Sequence, residues 1–484
     1  MHGRGPFAAV RDQDGGSIIS ESACFCRFQE EQMNYRETME YIEEMSALGS
    51  VPGLESITEL CRRLGNPQDS LFFVHIAGTN GKGSLLAYLY GMLKAAGYRT
   101  GCFSSPAVYA YREKIQVNGK EILAKEFAEW MSLVREEADA MAEEGRPHPT
   151  VFEMETAVSF LYFKEKHCDI VLLECGMGGD LDATNIVRNT LAAVFASISM
   201  DHMAYLGNTL SEIAGHKAGI IKPGAETASG IQEPEVFQIL KAGAGEQTLR
   251  TVERERITHI RYGLEKQRFD YLSSSGKLYR RLEIPLAGIV QPENAALAVE
   301  TAEALGRKGF SVTEKQLRQG LSGTRWPYRF EIVAKKPYFI LDGAHNEDAA
   351  VRLAEGIRFY FTNRKIVYVM GMLKDKEYEK VIAQTYAYAE QIITVTPPGE
   401  ERALPGHELA VAASGYHPHV TEAASLEEAV EMAYLFAQKD WVILAFGSLS
   451  YLGALGRIVR DRSERHDRSG KNKTGRQAVA SGNR

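Results

Sequence analysis

The chain has 484 residues, 44% of them apolar, and a formal net charge of −7. That length allows two or three domains with large buried cores, while the acidic balance speaks against a general nucleic-acid binder, which needs a basic face. No apolar run approaches the roughly 20 residues that cross a bilayer, and the N-terminus lacks the apolar block of a secretory signal. The six cysteines form no C-x-x-C pair, so a cytoplasmic protein with buried free thiols is expected.

Residues 1–32 are rich in Gly, Ser and charge without a sustained period, which predicts a disordered leader, with Met33 as an alternative start. Cys24-Phe25-Cys26 in that leader reads as a chance pairing rather than a metal site. A helix over 35–48, a loop at Gly49–Gly53 and a helix over 54–64 come next. The apolar run from Leu71 then breaks into Gly78-Thr79-Asn80-Gly81-Lys82-Gly83-Ser84, followed by an apolar helical pattern that stops at Gly97. Strand, glycine loop and helix form a phosphate cradle: backbone N–H groups, a helix N-terminus and one lysine face an anion together. The usual pattern is G-x-x-x-x-G-K-[ST]; here Ile76 stands at its first glycine, and Gly83 separates Lys82 from Ser84. By itself the stretch is either a nucleotide site or a structural strand–turn–helix corner.

Further on, a strand at 100–103 ends in Ser104-Ser105-Pro106, and a β-ribbon turns at Asn118-Gly119. Helices are predicted over 124–144 and 152–166. A buried strand at 169–173 ends in Glu174, and another at 191–199 ends in Asp201-His202. Alternating strands and helices imply a mostly parallel sheet covered on both faces. Polar clusters at successive strand ends (Thr79-Asn80, Ser104-Ser105, Glu174, Asp201-His202) point to one ligand-binding edge. Thr209 and Glu212 make a capping box, and Leu210, Ile213, Ala214, Lys217 and Ile221 share one stripe, which puts Lys217 on the buried face. Two readings stand: a lysine whose stem covers apolar surface, or an amine whose pKa burial lowers, able to add carbon dioxide and bind magnesium as a carbamate. A helix ending near Leu305 and a short helix with connector over 308–323 lead to a second α/β pattern. Its strands are at 338–341, 366–370, 392–395 and 441–446, and it has no second phosphate loop. From Asp461 a basic, disordered tail is predicted.

These motifs together resemble the folylpolyglutamate synthase/dihydrofolate synthase family of the Mur-ligase superfamily. The resemblance rests on Gly78 to Ser84, Ser104-Ser105-Pro106, Glu174-x-Gly-x-Gly-Gly-x-x-Asp182-Ala183-Thr184-Asn185 and Asp201-His202. Lys217-Ala218-Gly219-Ile220, Gln291-x-x-Asn294, Arg329-Phe330-Glu331, Asp342-Gly343-Ala344-His345-Asn346 and Phe446-Gly447-Ser448-Leu449 complete it. It spans about Met33 to Arg460. It implies a leader at 1–32, an ATP-binding P-loop ligase domain at 33–307, a linker at 308–323, a smaller α/β glutamate-ligase-type domain at 324–460 and a tail at 461–484. The implied activity is ATP-dependent addition of L-glutamate to the terminal carboxylate of a folate through an acyl phosphate, with dihydropteroate as a second acceptor. Phosphoryl transfer of this kind needs positioning and charge neutralisation more than covalent help.

By the same resemblance Lys82, with Thr79, Asn80, Gly81, Gly83 and Ser84, holds the phosphates. Ser105, Glu174 and His202 ligate magnesium, with Lys217 as its carbamate on a second ion; Lys82, Lys217, His202 and Glu174 form the catalytic set. Asn294, Arg329, Asp342 and His345 belong to the ATP site, so the nucleotide bridges two domains. Phe152, Glu153, Leu181, Asp182 and Ala183 line the folate region, although Phe152 also suits plain packing at a helix start. Ala107 replaces a frequent histidine, and Lys114 a usual arginine. A monomer with no nucleic-acid or membrane partner is expected. The rival readings are another Mur-type amino-acid ligase and a nucleotide-binding switch that ligates nothing.

Overall fold

A computed structural model describes residues 32–46, 49, 53–399 and 401–480, with side chains up to 465. The leader expected at 1–32 lies, but for its last residue, outside the described residues. The predicted strand over the apolar run is β1 (Phe73–Ala77), buried on both faces. It stands inside an eight-stranded sheet with β2 (Thr100–Phe103), β3 (Ile115–Val117), β4 (Lys120–Glu121), β5 (Ile170–Glu174), β6 (Thr190–Phe195), β7 (Glu226–Ser229) and β8 (Leu249–Thr251). The spatial order is β4-β3-β2-β5-β1-β6-β7-β8. All neighbours are parallel except the β2–β3–β4 ribbon, whose Asn118-Gly119 turn has both residues at positive φ.

Successive residues of a strand face opposite sides of a sheet. Val74, Ile76, Leu172 and Val194 accordingly share one core with Leu89 of the helix Lys82–Ala95 and Leu297 of the helix Gln291–Arg307. Phe73, Val171 and Leu173 share another with Phe160 of the helix Val151–Glu165. β7 and β8 extend the sheet beyond the strands that the apolar runs predicted. So does a separate antiparallel sheet of β9 (Ile257–Arg261), β10 (Gln267–Leu272) and β11 (Leu278–Ile284). In β10 only Gln267, Phe269 and Tyr271 are buried, so a short polar-rich alternation concealed it.

Helix Glu314–Gly323 falls in the stretch read as a linker, yet its Leu317 and Leu321 lie in the same core as Leu89. Gly91 and Gly320 let its backbone approach the helix Lys82–Ala95 closely. It is part of the first domain because its apolar face is covered there. The second sheet has the order β12-β13-β17-β14-β15-β16. Its strands are β12 (Glu331–Lys335), β13 (Tyr338–Leu341), β14 (Ile366–Met370), β15 (Gln391–Val395), β16 (Val420–Ala423) and β17 (Val442–Phe446), with only β12 antiparallel.

The last helix, Leu449–Ala480, runs past Asp461, where a disordered tail was expected. Arg462 anchors that extension: its guanidinium donates to both carboxylate oxygens of Glu431 at 3.0 Å and lies 4.2 Å from the centre of the Tyr434 ring. Among the described residues no helix is long and apolar enough to cross a membrane. Cys61, Cys102, Cys168 and Cys175 are free, and Cys24 and Cys26 lie outside the described residues.

Candidate active site

β1 lies where the sheet order reverses, between β5 and β6, and the loops after these strands open at the crevice favoured for ligands in such sheets. Gly81 caps the helix Lys82–Ala95 at φ +92°, a conformation that L side chains rarely adopt. Gly83 is needed for another reason: a side chain there would begin 2.6 Å from the Trp326 indole nitrogen. Lys82 Nζ donates to the carbonyls of Gly78 (3.0 Å) and Thr79 (3.3 Å) and lies 3.9 Å from Glu174 Oε1. Ser84, displaced by Gly83, is buried and accepts a hydrogen bond from Gln291 Nε2 at 3.2 Å. Thr79 Oγ1 donates to the Ser199 carbonyl at 2.9 Å, which ties the loop to the end of β6. The Thr79 and Ser84 hydroxyls are thus both engaged by protein, which leaves Lys82 and the loop N–H groups facing the crevice.

An inner pocket gathers Lys82, Ser105, Glu174, His202, Lys217 and His345. The helix Leu210–Ala218 starts at the predicted capping box and buries Lys217, whose Nζ donates to the Gly78 carbonyl at 3.1 Å. Burial, aided by the charge of Lys82, lowers the amine to about 8. The same desolvation raises the Glu174 carboxyl to about 7, although Lys82 and Arg329 pull the other way. His345 and His202, the latter still 39% exposed, are both lowered to about 4, chiefly by desolvation in the pocket. A neutral imidazole and a buried carboxylate whose ion pair to Lys82 is a long 3.9 Å are the kind of donors a divalent cation relieves. No group of three or more His, Cys, Asp and Glu side chains able to hold a metal occurs among the described residues. A magnesium ion here would take one or two protein carboxylates and complete its shell with substrate phosphates and water.

Sequence reasoning marked Asp201, Asn80 and Asn346 but not Lys376 and Asp348, which they meet at the seam between the domains. Asp201 Oδ1 pairs with Lys376 at 3.1 Å, and Oδ2 accepts from Asn346 Nδ2 at 3.2 Å. Burial raises this carboxyl, but His202, Lys376 and His345 outweigh it and hold the group well below the usual range. Asn80 Nδ2 crosses the same seam to Asn346 Oδ1 (3.2 Å) and Asp348 Oδ2 (2.9 Å). Lys376 lies in the loop well past the end of β14, beyond the strand-end position that marked Glu174. An outer pocket adjoins the inner one and is bordered by Gly81, Asn294, Arg329 and Asp342, as expected, and by Arg254 and Arg352, which no motif marked. Arg329 borders both pockets, and its buried Nε has no hydrogen-bond partner. Asp342 is raised by burial against the pull of Arg329; its two oxygens accept from Phe330 N–H (3.0 Å) and Ala344 N–H (2.9 Å).

The residues expected on the folate side divide. Phe152 lies against Gly176, 2.7 Å from where a side chain would begin, and Leu181 is exposed. Glu153 instead completes a capping box: it accepts from Thr150 N–H and hydroxyl at 2.8 Å and from Ile57 N–H at 3.1 Å. Asp182 closes the Gly176–Thr184 loop by accepting from Met177 N–H (2.8 Å) and Thr184 N–H (3.0 Å), and Ala183 is buried. Both carboxylates are held by N–H and hydroxyl groups of their own chain, which fixes them in the site wall.

Two family models match in sequence: the Mur ligase middle domain over residues 76–302 and the Mur ligase glutamate ligase domain over 328–449. A Bacillus subtilis dihydrofolate synthase/folylpolyglutamate synthase is 36% identical over 362 residues, 74% of this chain and 84% of that protein. The chain belongs to the folylpolyglutamate synthase/dihydrofolate synthase family of Mur ligases. Among solved relatives of this ligase, Mycobacterium tuberculosis folylpolyglutamate synthase complexed with ADP and AMPPCP superposes with a TM-score of 0.81. It is 28% identical and covers 88% of this chain and 99% of its own. A folylpolyglutamate synthase–AMPPCP–folate complex gives 0.76 at 29% identity, covering 87% and 98%.

Proposed function

We propose that this ligase adds L-glutamate to the terminal carboxylate of folates at the expense of ATP. The observation that carries the reading is the single crevice in which Lys82, Glu174, His202 and Lys217 of the first domain meet Arg329 and His345 of the second. A carboxylate is a poor electrophile, so its oxygen first takes the γ-phosphoryl group and ADP leaves. The glutamate α-amine then attacks the acyl carbon, the amide C–N bond forms, the C–O bond to phosphate breaks, and the amine proton is lost. Lys82 and the loop N–H groups hold the transferring phosphates, Arg329 adds charge from the opposite domain, and Asn294 and Asp342 hold the nucleoside end. Magnesium, held by Ser105, Glu174 and His202, with the Lys217 carbamate on a second ion, would neutralise developing phosphate charge. Lys217 gains that carboxylate when its neutral amine adds carbon dioxide and releases a proton. The enzyme acts as a cytoplasmic monomer, and dihydropteroate is a second acceptor.

ADP release measured with folate monoglutamate or dihydropteroate plus glutamate is the test, against nucleotide-sugar acceptors in parallel. Glutamate-dependent release with a pteroyl acceptor is expected. Release only with the sugar acceptors would transfer the chain to another Mur-type ligase, and release indifferent to glutamate would make it a switch.

A further inference from the structure

The segment between Ser105 and Lys114 leaves the first domain, touches the second and returns. Its turn is stiffened by Glu113, whose carboxylate accepts from the backbone N–H groups of Val108, Tyr109 (3.1 Å) and Ala110 (3.3 Å). Its return end is anchored on the helix Val151–Glu165. There the buried Glu155 accepts from Lys114 Nζ at 2.8 and 3.0 Å and from the Tyr111 hydroxyl. Tyr109 forms the tip. Its ring centre is 4.7 Å from that of Tyr328, and the Arg460 guanidinium carbon lies 5.1 Å from it. The Tyr109 hydroxyl donates to Glu331 Oε2 at 3.4 Å and accepts from Arg460, which also pairs with Glu331 Oε1 at 3.1 Å. At Gly453 the helix Leu449–Ala480 meets the Val108 carbonyl so closely that the backbone fills the space of a side chain.

Tyr328, Glu331 and Arg460, the groups that hold the Tyr109 tip, all belong to the second domain. Tyr328 and Glu331 flank Arg329, which borders both pockets, and the other end of the segment carries Ser105. We propose that Tyr109 is a positioning residue that ties the Ser105 loop to the turn that carries Arg329. Filling the nucleotide side of the crevice thereby favours binding of the carboxylate acceptor, and the reverse. The inference rests on the ligase reading above. A tilted ring contact, a cation over the ring and a shared carboxylate are each weak, but all three exist only while the loop and the second domain keep this arrangement. A coupling of this kind is reciprocal by thermodynamic necessity.

The test is calorimetric binding of AMPPCP and of folate, separately and together, to the full chain and to Tyr109→Ala, Tyr109→Phe and Gly453→Ala. In the wild type each ligand should tighten the other by about fivefold or more. Tyr109→Ala should bring that factor to about one while binding of AMPPCP alone changes by less than about twofold. Tyr109→Phe keeps the ring and should keep most of the coupling; Gly453→Ala, which pushes Val108 away, should lose it and decides the matter if Tyr109→Ala does not fold. Coupling as strong in the Ala variants as in the wild type, or absent from the wild type, overturns the proposal. If the wild type binds no folate and releases no glutamate-dependent ADP, the ligase reading itself has failed.

Discussion

Lys217 shows how much one side chain's surroundings decide. An amine on an exposed helix face stays charged and solvated, whereas here burial beside Lys82 brings it to about 8, so a sizeable neutral fraction is present near neutrality. Lys217→Ala should lower turnover by roughly a hundredfold or more while AMPPCP affinity stays within a few-fold, because Lys82 remains and still holds the Gly78 carbonyl when the Lys217 contact is lost. Added formate or acetate should restore part of the turnover by replacing the missing carboxylate. Full activity of the alanine variant would refute the carbamate role.

His75 is the second residue with a measurable signature. Its Nε2 lies 2.8 Å from Thr184 Oγ1 at the centre of the sheet, and burial lowers it to about 3. The unfolded chain binds this proton near 6.5, so between about 6.5 and 3 the unfolded state holds more protons and stability falls as pH falls. The loss should reach roughly 4 kcal/mol by pH 3. Urea unfolding of His75→Gln from pH 7 to pH 4 should show a shallower slope than the wild type; parallel slopes would discount the histidine.

At the scale of elements, helix starts and loops carry roles that motif reading assigned to ligands. Glu153 holds the N-terminus of Val151–Glu165 and the Ile57 N–H, so it supports two helices at once. Glu153→Gln should cost about 1–2 kcal/mol in thermal or denaturant unfolding and leave the KM for folate unchanged. A KM shift of tenfold or more without loss of stability would return the residue to the substrate site.

Across the whole molecule, the two domains are joined over the crevice by Asp201–Lys376, Asn80–Asn346 and Asn80–Asp348. Lys376→Met removes the cation from a nearly buried pair and leaves Asp201 beside two neutral imidazoles. Such a loss disfavours the closed arrangement by about 3 kcal/mol, so kcat/KM for ATP should fall roughly a hundredfold. Steady-state kinetics on the folded variant measure this, and an unchanged kcat/KM would mean that the pair has no part in closure.

The sequence by itself determined the parallel sheet, the phosphate loop and the family. Buried parallel strands are near-continuous apolar runs, and the strand-end motifs are contiguous in the chain. Lys217 was legible too, because a helical stripe declares its buried face. Only the tertiary structure decided what each polar group meets. The sequence does not show that Glu153 meets Thr150 and Ile57, or that Asp182 meets Met177 and Thr184. Lys376, Arg352 and Tyr109 carry no motif, since their partners lie far away in the chain. Periodicity records which face of an element is buried, whereas hydrogen-bond partners across a domain seam depend on how two separately formed surfaces meet.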